Sequence, residues 1–343
     1  MFQFCTYFDQ HYLSRGLALY RSLRDHCPEF KLWVLCMDGT SYRILMGLRL
    51  PSMHPIALEE FERDDEPLRL AKTNRSRIEY YFTCTPSLPL YILNNRPEVE
   101  LITYLDADLF FFASPAPLFE EMKEGSVAII GHRFSPNLKG MERHGIYNVG
   151  WLSFRRDANG LACLHWWRDR CIEWCYDRLE NGQFADQKYL DDWPSRFQNV
   201  VVLEHKGANV ALWNLGNYHL SYQNGNMVKV DEQPLIFFHF HYLQKITSLW
   251  YNPRWESYGV TPSTLLRRRV YAPYIKTLFD VSEHMLPTSA THLFSGHREN
   301  EINQRKKKFY LIRYVVRQLR MLPYVCKSIL TGKYIFIING HVV

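Results

Sequence analysis

The chain has 343 residues, 47% of them hydrophobic, 22% charged and 15% aromatic, which excludes a disordered, collagenous or coiled-coil protein and fits one large domain with an appendage or two domains. The net charge of +6 is uneven: residues 290–343 hold ten Lys/Arg against two Glu, while residues 1–289 hold 31 basic against 33 acidic residues. A neutral body argues against nucleic acid as a partner, because a phosphate-binding groove needs its own basic side chains, and it directs the question of anionic partners to the tail.

The eight cysteines are scattered, form no Cys-x-x-Cys pair and sit mostly in apolar runs, so they read as reduced core residues of a cytoplasmic protein. The first residues enter a strand directly, without the basic, apolar and small-residue regions of a secretory signal. No apolar run approaches the roughly eighteen residues of a spanning helix. A cytoplasmic chain that does not cross a membrane is the expectation.

Residues 2–8 read as a strand. Leu13, Leu17, Tyr20, Leu23 and Cys27 then recur at helical spacing and predict an amphipathic helix ending near Pro28. Residues 32–37 form a second strand; a polar stretch over 59–67 precedes a helix near 69–82; and residues 101–112 read as one long central strand interrupted by two aspartates. Strands follow at 127–131, 146–154 and 200–204, with a helix between the last two marked by Leu161, Leu164, Arg168, Cys171, Cys175 and Leu179, and another strand at 235–240. Beyond it the pattern turns helical, over 265–279 and over 305–322. The latter carries an apolar stripe (Phe309, Ile312, Val316, Leu319) beside a basic one (Arg313, Arg317, Arg320) and should end at Pro323. Strands alternating with helices predict an α/β fold with a mostly parallel sheet. The division expected is a catalytic domain over 1–245 and a helical extension over 246–343.

Four short elements carry chemistry. In Tyr104-Leu105-Asp106-Ala107-Asp108-Leu109-Phe110, extended backbone would project Asp106 and Asp108 to one side at a strand end. Two adjacent anions in apolar surroundings call for a divalent cation, its other positions filled by phosphate oxygens and water. In Phe237-Phe238-His239-Phe240-His241 the two imidazoles share a face, and His239 is the third metal ligand expected. In Tyr147-Asn148-Val149-Gly150, the glycine permits close approach of a ligand and the amide can donate and accept. The fourth, Phe184-Ala185-Asp186-Gln187, follows a turn at Asn181-Gly182, with a helix cap by Asp186 as the alternative. The loop Gly207-Ala208-Asn209-Val210-Ala211-Leu212-Trp213-Asn214 fits a sugar-stacking loop or a structural one equally. Trp166, Trp167 and Trp174 have helical spacing and read as packing.

In this order and spacing, the four elements resemble the GT-A fold nucleotide-sugar glycosyltransferases, in particular the glycogenin-like family 8 and related bacterial surface-polysaccharide glycosyltransferases, over residues 1–250. The resemblance implies a Rossmann-like GT-A sheet with flanking helices. It also implies a manganese or magnesium ion held by Asp106, Asp108 and His239, and a nucleoside-diphosphate sugar donor with UDP favoured. On the same grounds Thr6, Tyr7, Asp9 and Tyr12 hold the nucleotide base, Ala107 lines the nucleotide, and Asn148 and Gly150 line the donor. Asp186 and Gln187 face the donor sugar as the catalytic pair, and Lys245, six residues after His239, touches the diphosphate. Tyr242 stands where the family has glycine, and Ile246-Thr247 where it has Pro-Trp. The lysine expected before the carboxylate pair is absent from 82–90, and Arg77 takes its place.

The implied reaction is transfer to a hydroxyl of a glycan or lipid-linked glycan, with retention of configuration. Inversion would need a carboxylate base, Asp186 or Asp191. The basic tail either binds an anionic membrane surface peripherally or packs on the body. Competing readings are a haloacid-dehalogenase phosphatase, which would carry Asp-x-Asp on its first strand; a sugar nucleotidyltransferase, which would open on a glycine-rich loop where residues 1–20 hold only Gly16; and a catalytically silent sugar-nucleotide binder.

Overall fold

The computed structural model describes residues 1–223, 227–247, 250–286, 334–338 and 341–342. The chain divides into two compact units, Met1–His241 and Tyr242–Val343.

In the first unit the strands are β1 (Phe2–Phe8), β2 (Phe30–Cys36), β3 (Met53–Ala57), β4 (Leu101–Leu105), β5 (Leu109–Phe111), β6 (Val127–Gly131), β7 (Tyr147–Arg155), β8 (Val200–Leu203), β9 (Leu220–Gln223), β10 (Met227–Val230), β11 (Gln233–Pro234) and β12 (Phe237–His239). Seven build the main sheet, in the order β3-β2-β1-β4-β7-β6-β8. β3, β2, β1 and β4 run parallel, β7 is antiparallel to β4 and β6, and β8 is parallel to β6. The parallel strands are continuous apolar runs because helices cover both faces; Val127–Gly131, for example, is buried throughout.

The helices of this unit are α1 (Leu13–His26), α2 (Gly39–Leu48), α3 (Leu58–Glu62), α4 (Glu66–Thr73), α5 (Arg77–Asn95), α6 (Ala116–Met122), α7 (Ala158–Glu173) and α8 (Trp193–Arg196). The predicted face of α1 is the buried one, with Leu13, Leu17, Tyr20 and Leu23 inside. Gly16 lets that helix lie against the end of β1, since a Cβ there would stand 2.1 Å from the Phe8 ring. α5 opens with a capping box in which Ser76 and Glu79 satisfy each other's backbone N–H groups. It runs past the predicted end at residue 82, through Pro86 and Pro89. Each proline removes one helical hydrogen bond, but residues 83–90 are all buried, and packing of that segment outweighs the loss.

Topology positions the site. The chain builds outward from β1 through β2 to β3, then returns through α5 to place β4 on the other side of β1. The crevice at the carboxyl ends of β1 and β4 is a topological switch point, where open α/β sheets bind ligands. The pairing Leu105↔Trp151 brings the start of antiparallel β7, with Asn148 and Gly150, to the same edge. The predicted strand over 101–112 is in fact two. β5 leaves the main sheet and pairs with β12 as an antiparallel ribbon, locked to the core by Trp151, which stacks on Phe237 at 5.6 Å and 11°.

The second unit contains β13 (Gln244–Thr247), β14 (Trp250–Asn252), β15 (Ile335–Ile338) and β16 (His341–Val342), joined in that order into one sheet, and α9 (Ala272–His284), entered through a π-helical segment at Leu266–Tyr271. The helical pattern over 265–279 is present, and the sheet is an addition that the sequence did not announce. The basic amphipathic stretch over 305–322, with the membrane contact expected of it, and Cys326 lie outside the described residues. Among the described residues the seven cysteines are free and buried, and no helix is long and apolar enough to cross a membrane.

Candidate active site

Residues 106–108 form a turn between β4 and β5. The N–H of Leu109 donates to the Asp106 carbonyl at 3.2 Å, and the N–H of Asp106 donates to the Gly150 carbonyl at 3.2 Å. The two carboxylates therefore converge through a turn, not through the alternation of an extended strand, because a continuing strand would have carried Asp108 on along the sheet. The β5–β12 pairing sets His239 opposite Leu109, which brings its Nε2 to 3.1 Å from Asp108 Oδ1 and 3.6 Å from Asp106 Oδ2.

A rigid support holds this cluster. A Cβ at Gly150 would meet the Asn148 side-chain oxygen at 2.6 Å and the His239 ring at 3.0 Å, so the absence of a side chain makes room for the imidazole. The Asn148 oxygen accepts from the N–H of Gly150 at 2.9 Å, and its amide nitrogen donates to His132 Nε2 at 3.1 Å. That contact places the His132 proton on Nδ1, which faces the Ile146 carbonyl at 3.3 Å. Burial pushes His132 down to about 3, so it stays neutral. Trp213 lies edge-on to His239 at 5.1 Å and to His241 at 5.6 Å, and its indole N–H donates to the His132 carbonyl. The loop over 207–214 belongs to this support and presents no sugar platform. Asn209 and Asn214 are fully buried and donate to the carbonyls of Gly131, His132 and Asn209, while the Val210 carbonyl accepts from the N–H of His239.

The electrostatics follow from burial and proximity. Burial raises the Asp106 carboxyl, and the neighbouring Asp108 adds to the rise against the opposing pull of His239. Burial would raise Asp108 too, but His239, its hydrogen bond, His241 and Arg15 together hold it well below the usual range. His241 is pushed down to about 4 by burial and by His239. The donor set suits a divalent ion in kind, two carboxylates and an imidazole, and His239 Nε2 stands at 3.1 and 3.6 Å from one oxygen of Asp108 and of Asp106. The buried His239 Nδ1 has no hydrogen-bond partner, so the ring presents Nε2 to the carboxylates.

Around this centre the other predicted residues are distributed unevenly. Asp9 accepts from the N–H groups of His11 and Tyr12 through Oδ1 and from the Tyr81 hydroxyl through Oδ2, and the exposed Arg77 guanidinium stands 3.8 Å away. Tyr12 is 40% exposed. The hydroxyl of the half-buried Tyr7 meets Oγ1 of the buried Thr85 at 3.2 Å. Thr6 is fully buried, so its side chain has no surface to offer a base. Ala107 is the middle residue of the turn. Asp186 is 2% exposed, and one of its oxygens has no partner. Burial pushes it up to about 7, with the Thr85 hydroxyl opposing and Asp106 adding to the rise. Asp186 caps no helix: the following 3-10 turn, Lys188–Asp192, is preceded by Gln187 and has no side-chain cap. Gln187 donates to the His144 carbonyl at 3.1 Å. Asp191 is occupied by the N–H of Ile146 at 2.7 Å and the Lys188 ammonium at 2.6 Å, so it is no free base. Lys245 belongs to the second unit, on β13 opposite Tyr251.

The fold of this sheet has a solved counterpart. The crystal structure of the galactosyltransferase LgtC in complex with donor and acceptor sugar analogs superposes with a TM-score of 0.50 at 14% identity, covering 78% of this chain and 100% of that one. The fold is GT-A. YfnD of Bacillus subtilis (strain 168) is 32% identical over 280 residues, 81% of this chain and 88% of YfnD; YfnF of the same organism is 35% identical over 244 residues, 69% of this chain and 80% of YfnF. The chain belongs to the YfnD and YfnF family. Both of these relatives are uncharacterised proteins, and no protein-family model matches the chain.

In this member of the YfnD and YfnF family, sequence reasoning missed His132 and Arg15, and it named Trp213 only within a loop that fitted a sugar-stacking or a structural role equally. His132 lies 107 residues from His239 in the chain, and no local pattern marks it. Arg15 left a signal. It sits in the first turn of α1, where the helix dipole disfavours a cation, its guanidinium lies 4.3 Å from the Tyr12 ring centroid, and its charge lowers the Asp108 pKa.

Proposed function

We propose that the chain is a divalent-metal-dependent glycosyltransferase. It moves a sugar from a nucleoside-diphosphate sugar, with uridine as the favoured base, to a hydroxyl of a glycan or lipid-linked glycan acceptor in bacterial surface-polysaccharide assembly. The observation that carries this reading is the convergence of Asp106, Asp108 and His239 at the switch point of a GT-A sheet. A manganese or magnesium ion held by these three supplies neutralisation of the charge that develops on the departing diphosphate. Asp9, Tyr12 and Arg77 bind the nucleotide, and Arg15 adds positive charge toward the diphosphate.

Asp186 and Gln187 line the donor sugar. Burial pushes the Asp186 carboxyl up to about 7, so below neutrality it donates a hydrogen bond to a sugar hydroxyl. Retention is the course that the resemblance to family 8 implies. The bond from the anomeric carbon to the diphosphate oxygen breaks, the acceptor oxygen bonds the same face of that carbon, and the acceptor proton passes to the departing diphosphate. The basic stretch over 305–322 holds the enzyme at the anionic cytoplasmic face of a membrane. Liposome co-sedimentation with and without residues 300–343 tests that part, and unchanged binding removes it.

The transfer itself is tested by incubating the protein with a panel of nucleoside-diphosphate sugars and following nucleoside diphosphate release with manganese, with magnesium and with chelator, then reading product configuration by NMR. Metal-dependent release from one donor with retained configuration is expected. Nucleotide binding without turnover would leave a silent binder, and phosphate release from a phosphomonoester would point to a phosphatase.

A further inference from the structure

A fourth donor stands beside the three assigned above. Along Phe238-His239-Phe240-His241 the side chains alternate: the Phe238 and Phe240 rings lie 4.7 Å apart, with Phe240 against Phe110 at 6.4 Å, while the two imidazoles meet edge-to-face at 5.8 Å and 82°. One ligand atom each from Asp108, His239 and His241 lies within 4.8 Å of the others. The indole of Trp213, anchored through its N–H to the His132 carbonyl, stands edge-on to both rings, at 76° to His239 and 70° to His241. A single aromatic wall thus orients both imidazoles toward the same carboxylate. Asp106 stands farther from His239, at 3.6 Å, and one of its oxygens already accepts from the Tyr104 hydroxyl at 2.9 Å.

We propose that His241 is a ligand of the same cation, so that Asp108, His239 and His241 form the inner donor set and Asp106 completes it from the Tyr104 side. This rests on the metal site of the proposed function and adds a selectivity to it. Two imidazoles beside one carboxylate suit manganese and the later first-row ions, cobalt and zinc among them, over magnesium, which demands oxygen donors and retains its water. The chain therefore discriminates against magnesium through its own side chains.

The test uses the full chain and the metal alone. Isothermal titration with Mn2+, Co2+ and Mg2+ is run on wild type, His241→Ala, His239→Ala and Asp108→Ala, with thermal melts as a folding control, and pulsed EPR of bound Mn2+ counts the coordinating imidazole nitrogens. The expected result is two imidazoles in wild type and one in His241→Ala, about a hundredfold weaker Co2+ binding in that variant, and Mg2+ binding weaker than Co2+ in wild type. A single imidazole in wild type, a count that needs no variant, would overturn the assignment of His241 and leave the three-donor site standing. Unchanged metal binding in both His239→Ala and Asp108→Ala would instead remove the site itself.

Discussion

Asp108 is 8% exposed and Asp186 is 2% exposed, yet the fold gives the two carboxyls opposite settings. Asp108 meets His239 at 3.1 Å and lies in the field of His241 and Arg15, which hold it ionised far below neutrality. Among the described residues no cation acts on Asp186, one of its oxygens has no partner, and burial pushes it up to about 7. Burial is common to both, so the neighbours decide the charge. Imidazoles beside Asp108 keep it ionised, while Asp186, with the Thr85 hydroxyl and the Asp106 carboxyl for neighbours, is raised.

The largest effect that sharpens this contrast is at Asp108. Asp108→Ala is expected to lower kcat/KM for donor turnover by about 10³-fold or more, because it removes the strongest anion of the metal cluster. Steady-state kinetics at saturating manganese checks this. A loss of less than tenfold would mean that the two carboxyls are not different in kind.

Asp186 yields a stability effect with a definite sign. Its folded pKa is raised to about 7 from an ordinary value near 3.9, so its favourable contribution is fully present below about pH 4 and is lost as pH rises through about 7. That loss is on the order of 4 kcal/mol as a ceiling. Asp186→Asn is expected to melt above wild type at pH 8 and close to it at pH 4, while transfer falls. Calorimetric melts at both pH values measure it, and a difference independent of pH would contradict the raised pKa of the buried carboxyl.

Smaller effects probe the scaffold. Gly150→Ala places a methyl against the Asn148 oxygen and the His239 ring and is expected to cost about 1 to 3 kcal/mol, with weaker manganese binding in the same protein; chemical denaturation and metal titration read the two together. Arg77→Ala removes an exposed guanidinium 3.8 Å from the buried Asp9 and is expected to change stability by less than about 1 kcal/mol. Its effect should fall on donor KM, and an unchanged KM would remove Arg77 from the nucleotide side.

Much of the scaffold was readable because its signals are local. The apolar face of α1 and the continuous runs of β1 and β6 carry periodicity over a few residues, and the residue types Asp106, Asp108 and His239 announce cation chemistry wherever they stand. The rest depended on contacts distant in sequence. Nothing in 101–112 shows that the chain turns at Ala107, because Phe110, Phe111 and Phe112 continue an apolar run that reads as one strand. Pro86 and Pro89 argued for ending a helix that the core keeps intact, and Pro55 disguised β3, which lies at the edge of the sheet where proline is tolerated. The loop over 207–214 fitted a sugar-stacking or a structural role equally from its residues, and the structural role rests on amides bonded to backbone carbonyls as far back as Gly131.

The central claim, a metal-organised nucleotide site at the switch point, is tested most directly by calorimetric titration of UDP into the protein with and without manganese, on wild type and on Asp108→Ala. The account predicts UDP binding to wild type that requires manganese and is lost in Asp108→Ala. UDP binding that ignores both the metal and the substitution, or no binding of UDP or any other nucleoside diphosphate, would contradict it.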